Sequence, residues 1–515
     1  MTETGFVSNS DRAGQIQFEG SETAELFAKE VAESFAGLLT YNFVQADGAF
    51  PTGFLHASPE GQLCHGQMWT RDAGTFLREL VMWGCFEHAK QVAECLIRLV
   101  AKNPDGFHAY PESFKGNTPE AGREIDGTSA IAIGMVLLWQ RLPAADPMKA
   151  RLYEFLHQPA SPVRFLLNDL EQGPLVRGTG EFGSGCTIND VACNVVQNSM
   201  VVLALSIAAD MEQAANDPLT ADLYRAKVQT LRANMEKHLV DSEGGWIWCV
   251  NPDTLKPEPQ SINSPWIRGF GGINGVACMY ADVFGFTPTA DPWQGIAHGR
   301  KTFERLYAYP KRRAFFEKHG LWDQLDETPP EVRRKDPRWN QPYDIPVDGG
   351  LTSPSYGHGY ALQTMLLYDM LEMADKGLAG LARGVYQNGQ KRSPYYFFER
   401  LGLLPDRVVN AGGCGELNLV CATEPLKVAR LILGVDDSRA DETRLVPRVP
   451  PSWKSVKATH WPIRTSAGVV RADIQVQRDG DAQRITITVA DGQKIPRLAT
   501  RRGVGAEWEH HVDVA

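Results

Sequence analysis

From Ser21 to about Val435 the apolar positions recur with the 3.6-residue period of helices, in two styles. In one, a single face is apolar. "ADLYRAKVQTLRANMEKHLV" aligns Tyr224, Val228, Leu231, Met235 and Leu239 opposite its charges, and "FEHAKQVAECLIRLVAK" aligns Ala89, Ala93, Leu96 and Val100. In the other, nearly every position is apolar, as in "GTSAIAIGMVLLW" (127–139) and "VACNVVQNSMVVLALSIAA" (191–209). A helix apolar on one face lies at a surface; a helix apolar all round is buried on all sides. The pattern predicts helices over 23–39, 72–83, 86–102, 127–142, 148–157 or 163–170, 190–213, 219–240, 270–284, 295–308, 357–375, 378–402 with a break, and 416–434.

About twelve helices of alternating polarity make six hairpins. The economical packing has two concentric layers, inner helices around an axis and outer ones wrapped round them. The expected fold is mainly α, an (α/α)6 toroid over residues 1–435, followed by a second domain over 436–515. There "VVRADIQVQRDGDAQRITITVA" alternates polar and apolar positions around an "RDGD" turn, with Val470, Ala472, Ile474 and Val476 sharing one face and Ile485, Ile487 and Val489 another. "RLVPRVPPSW", just before it, is too proline-rich for a helix. A small antiparallel β domain is therefore expected. The stretch 309–346 is charged, aromatic and proline-bearing, the composition of a lid or binding loop.

Charge and composition narrow the partners. A formal net charge of −10 argues against a nucleic-acid binder, and the local basic run "PKRRAFFEK" is expected to be solvated surface. No apolar run is read as reaching the roughly 18 to 20 residues of a membrane helix, and "MTETGFVSNSDRAGQ" lacks the order of a secretory leader. Neither a membrane nor a nucleic-acid partner is expected, and nothing in the pattern specifies an oligomer. The nine cysteines are scattered, with Cys95, Cys193 and Cys278 inside apolar helical runs. They read as reduced core thiols of a cytoplasmic protein. Phosphate-loop, dinucleotide and G-x-S-x-G motifs are missing, and His65 and His358 have no ligand-spaced partners, so no cofactor and no metal is expected.

In a toroid the loops entering the inner helices meet at one end of the axis. Those loops hold the catalytic residue types. "CHGQMWTRD" carries Trp69, Arg71 and Asp72; "EAGREIDGTSA" carries Glu124 and Asp126; "GTGEFGSGCTIND" carries Glu181 and Asp190. Trp266 and Arg268 precede the eighth helix, Asp344, Asp348, Tyr356 and His358 the tenth, and Glu416 the twelfth. An acid in such a place is commonly a helix cap, and Asp72 fits that role at the start of the second helix. Trp69 and Arg71 do not. An indole stacks on a sugar face, neighbouring Arg and Asp bind vicinal hydroxyls, and two facing carboxyl groups can cleave a glycosidic bond.

"MWTRDAGTFLRELVMWG" resembles the substrate-binding segment of glucoamylase-type glycosidases, in which Trp-x-Arg-Asp opens the second helix. "EIDGTSAIAIGMVLLWQRL", "NVVQNSMVVLALSIAADM" and "GHGYALQTMLLYDML" resemble later inner helices of the same group, and the segment 444–477 is similar to the β domain of six-hairpin α-L-rhamnosidases and α-L-fucosidases. The resemblance implies an exo-acting, inverting glycoside hydrolase on a short oligosaccharide or glycoside. Trp69, Arg71 and Asp72 would bind the terminal sugar, with Trp266, Tyr356 and His358 lining the same pocket. The Trp-Glu-Glu motif that carries the glucoamylase acid is absent. Glu181, Asp126 and Asp190 are the substitutes for the acid; Glu416, or else Asp348, is the candidate base. Two rival readings keep the pocket. One is a lyase or sugar epimerase using Tyr356 and His358 as proton acceptors; the other is a carbohydrate-binding protein without catalysis.

Overall fold

The computed structural model describes residues 13–45, 50–58, 66–101, 113–115, 118–119, 124–178, 192–247, 249–257, 295–308, 310–321, 351–352, 356–383, 401–403, 408–410, 418–480, 482–490, 492–501 and 507–514. The helices among them are α1 Glu22–Gly37, α2 Thr70–Met82, α3 Phe86–Ala101, α4 Ile125–Arg141, α5 Pro147–Leu156, α6 Pro162–Leu170, α7 Val195–Ala214, α8 Pro218–His238, α9 Gly295–Tyr307, α10 Pro310–His319, α11 Tyr356–Leu367, α12 Leu371–Ala382 and α13 Leu419–Leu433. Six open on a side-chain cap. Ser21, Asp146, Ser161, Asn194, Asp217 and Asn418 each accept a bond from an amide of the first turn, and Pro147, Pro162 and Pro218 stand just inside three of these caps.

Two layers are visible in burial. Every residue of α2 and α13 is buried and α4 and α7 nearly so, whereas α8 buries Ala221, Tyr224, Val228, Leu231 and Met235 and exposes the opposite face. The inner helices α11, α13, α2, α4 and α7 pack in that order, each against the next. Outer helices lie behind them, α3 on α2 and α8 on α7. This is the expected mainly α toroid.

The inner helices α2 and α4 run parallel at backbone contact. A Cβ on Gly127 would lie 2.1 Å from Thr70 Oγ1, one on Gly74 would lie 2.4 Å from the Ala130 carbonyl carbon, and one on Gly134 would lie 2.9 Å from Leu77. The register advances in step along both chains, so both helices start at one end. Helix α13 starts there too. The Leu419 amide donates to the Ala57 carbonyl, and the Ala57 amide donates to the Gln67 carbonyl, each at 2.8 Å, just ahead of α2. Near the other end, Arg430 of α13 bonds Glu79 of α2 at 3.1 Å.

The last part of the chain forms two four-stranded sheets. One contains the expected hairpin, Gly468–Asp479 with Ala482–Val489, in which Val470, Ala472, Ile474 and Val476 are buried. Its far edge is the strand Gln15–Glu19, antiparallel to Ser455–Thr465. These sheets lie against the C-terminal ends of the inner helices. Trp461 meets Trp83 at 5.0 Å, Arg471 donates to the Gly84 carbonyl at 3.2 Å, and Asp437 pairs with Arg141 at 2.5 Å.

The structure departs from the sequence reading in several places. Both α5 and α6 form, where one was expected. The predicted helix 357–375 is a hairpin, α11 and α12, turning at Asp369 with φ of 56°. Part of the 309–346 excursion is helix α10. Helix α7, with 20 residues, is long and apolar enough to cross a membrane by length and composition, contrary to the sequence reading, and it lies inside the protein. Its apolarity matches its position as an inner helix. The five described cysteines, Cys85, Cys95, Cys193, Cys249 and Cys421, are buried.

Candidate active site at the helix starts

Helices α2 and α4 begin differently from the six helices that open on a side-chain cap. Their N-cap positions hold Trp69 and Glu124, and neither side chain makes a cap hydrogen bond. Helix α2 starts two residues ahead of the expected boundary, so Asp72 lies in its first turn and is not the cap. Asp126 holds the same place in α4. The close parallel crossing then brings four charged groups together. Arg71 Nη1 donates to Glu124 Oε1 at 2.7 Å and stands 3.7 Å from Asp126 Oδ2, while Arg71 Nε is 3.6 Å from Asp72 Oδ1. All four residues are buried; Arg71, the most exposed, retains 8%.

Local structure holds each in place. Asp126 Oδ1 accepts from the Gly127 amide at 2.8 Å, and Thr128 Oγ1 donates to the Glu124 carbonyl at 2.8 Å. Trp69 ends a short strand, Gln67–Trp69, paired with Ser113–Lys115. Its indole Nε1 is buried and has no hydrogen-bond partner among the described residues. Two helix N-termini point at this spot, each carrying a partial positive charge that favours carboxylates and developing negative charge nearby.

The other candidate residues divide. His358, in α11, is wholly buried, and its Nε2 donates to the Gly377 carbonyl at 2.9 Å on the neighbouring α12. Burial pushes its pKa down to about 4. Tyr356 is the first residue of α11. Glu181, Asp190, Trp266, Asp348 and Glu416 lie outside the described residues. The ends of two of their segments are anchored beside inner-helix starts. Gly178 and Ala192, flanking 179–191, exchange amide–carbonyl bonds at 3.0 and 3.2 Å just before α7. Asn418, the cap of α13, directly follows 411–417. Glu124 was read only as part of an entry loop. Its signal was a glutamate at a cap position where a shorter polar side chain is usual.

No family model and no curated protein matches the chain. Solved structures do match. An α-L-rhamnosidase from Dictyoglumus thermophilum superposes with a TM-score of 0.56 and 11% identity over 95% of this chain. A GH78 family rhamnosidase of Bacillus sp. GL1 gives 0.55 and 13%, also over 95%. This chain spans 45% and 42% of those two proteins, less than half of either. At such identity the likeness is one of fold.

Proposed function

We propose that the chain is a glycoside hydrolase of the six-hairpin toroid type, exo-acting on a short oligosaccharide or glycoside with inversion. The observation that carries this reading is the cluster of Arg71, Asp72, Glu124 and Asp126 beside the Trp69 indole, whose N–H has no partner among the described residues, at the shared starting end of the inner helices. Trp69 offers a stacking face and an N–H donor to a sugar, and Arg71 and Asp72 serve adjacent hydroxyls. Asp126 or Glu181 protonates the leaving oxygen, and Glu416, or else Asp348, activates water from the opposite side. The two fold neighbours, both named rhamnosidases, make a terminal rhamnoside the first substrate to try. Cysteines scattered along the chain, the described ones buried, suit a reducing compartment such as the cytoplasm. The engagement of His358 with Gly377 favours hydrolysis over the lyase or epimerase reading.

The test is a screen of aryl glycosides and disaccharides, with the first-formed anomer identified by proton NMR. On the first hit, Asp126→Asn, Glu181→Gln and Glu416→Gln are compared by turnover and by thermal midpoint. At least two should lose roughly a hundredfold or more in kcat while staying folded, the range expected of an acid or base. Near-normal turnover in all three would remove this assignment.

A further inference from the structure

Three carboxylates stand within ion-pair range of Arg71, but the geometry separates them. Glu124 accepts a hydrogen bond from the guanidinium at 2.7 Å, whereas Asp72 and Asp126 stay at 3.6 and 3.7 Å, beyond hydrogen-bond distance of those nitrogens. We propose that Glu124 is the positioning residue of the site: it fixes the Arg71 guanidinium, so that the arginine meets a ligand already oriented. This rests on the glycosidase reading only for the ligand's identity.

Four observations support it. Glu124 occupies an N-cap position yet leaves capping undone, its side chain reaching across to α2 instead. Both partners are buried, Glu124 at 1% exposure, so the pair is shielded from solvent screening. The distance between them cannot relax easily, because Gly127, one turn on from Glu124, packs against the Thr70 side chain and the Arg71 amide and holds the helix starts close. An arginine left to itself samples many rotamers, and ordering it on binding weakens affinity. A short charge-assisted bond from a rigid neighbour does that ordering beforehand. A glutamate is long enough to span the helix pair; an aspartate at 124 would fall short.

The experiment compares Glu124→Gln, Glu124→Ala and Glu124→Asp with the unmodified full chain. Ligand-free crystal structures of the alanine and aspartate variants should place the Arg71 side chain in a different rotamer. Arg71 unmoved in Glu124→Ala overturns the proposal, whatever the enzyme turns over. With a glycoside that is turned over, Glu124→Gln should raise KM roughly tenfold and change kcat less than about threefold, as expected for a lost charge on a binding pair. The pH profile of kcat should keep its shape, because Glu124 passes no proton. A lost limb of that profile would make Glu124 the acid or base and overturn the positioning role. A lowered thermal midpoint with unchanged KM would make it purely structural and overturn it equally. If the native protein turns over no glycoside but Arg71 moves in the alanine variant, the glycosidase reading fails and the positioning role stands.

Discussion

At the starting end of α2 and α4, one described guanidinium stands among three carboxylates: Arg71 with Asp72, Glu124 and Asp126. Toward the other end the proportion reverses. Glu79 takes both Arg78, at 3.3 Å, and Arg430, at 3.1 Å. Asp437 takes the Arg141 guanidinium at 2.5 Å and the Arg464 amide at 2.7 Å, with the Arg464 side chain close enough to sense its charge. A buried carboxylate held by two cations resembles a fastening, since removing either member leaves charge uncompensated in a medium that cannot solvate it. Carboxylates that outnumber the cation beside them are suited to sharing protons and hydroxyls with something that arrives. Burial is common to both ends; among the described residues, the ratio and spacing of opposite charges is what differs.

The contrast is sharpened most by Glu79→Leu. It should destabilise the protein by about 3–5 kcal/mol, because Arg78 and Arg430 lose their shared carboxylate, and leave KM nearly unchanged. Thermal or urea denaturation measures the first and steady-state kinetics the second. A variant as stable as the parent would mean the far-end pairs are not fastenings. Next in size is a pH effect at the β region. Burial pushes Asp436 from 3.8 up to about 7, with Asp437 adding repulsion while the Ser438 hydroxyl and amide oppose the rise. The folded state keeps this proton where the unfolded state has lost it. Its contribution is complete below 3.8 and is lost as pH rises through about 7, on the order of a few kcal/mol. Asp436→Asn should flatten that slope in denaturation midpoints taken from pH 4 to 8; an unchanged slope assigns it elsewhere. The smallest change is Gly127→Ala. Its methyl group would meet Thr70 Oγ1 at 2.1 Å, so stability should fall by about 1–3 kcal/mol, and KM should rise as the two helix starts separate. A fully stable variant with unchanged KM would show that the crossing has slack.

Much of this was legible in the chain. The two styles of helix predicted the two layers, because a stripe such as Tyr224, Val228, Leu231 and Met235 needs one covered side and "GTSAIAIGMVLLW" needs all sides covered. Boundaries were harder. Asp369 is a non-glycine residue with positive φ, and nothing in "LLYDMLEM" announces the turn between α11 and α12. The inner place of α7 was read from its all-round apolarity; its membrane-like length was not, although an inner helix and a membrane helix share both traits. Arg71, Asp72 and Asp126 were singled out by residue type, but their grouping in one cluster depends on glycines at 74, 127 and 134, whose spacing signals closeness without naming the partner. The pairing of Arg71 with Glu124 joins positions fifty-three apart, and no local pattern encodes it.

The strand Gln15–Glu19 has one further consequence, for how the molecule is made. Gln15 faces Thr459, so the strand pairs with one synthesised more than four hundred residues later. At ordinary rates of synthesis it waits tens of seconds for that partner. Throughout that interval its amides and carbonyls can pair with any passing sheet edge, while the helices that lie between the two strands in the sequence are being made.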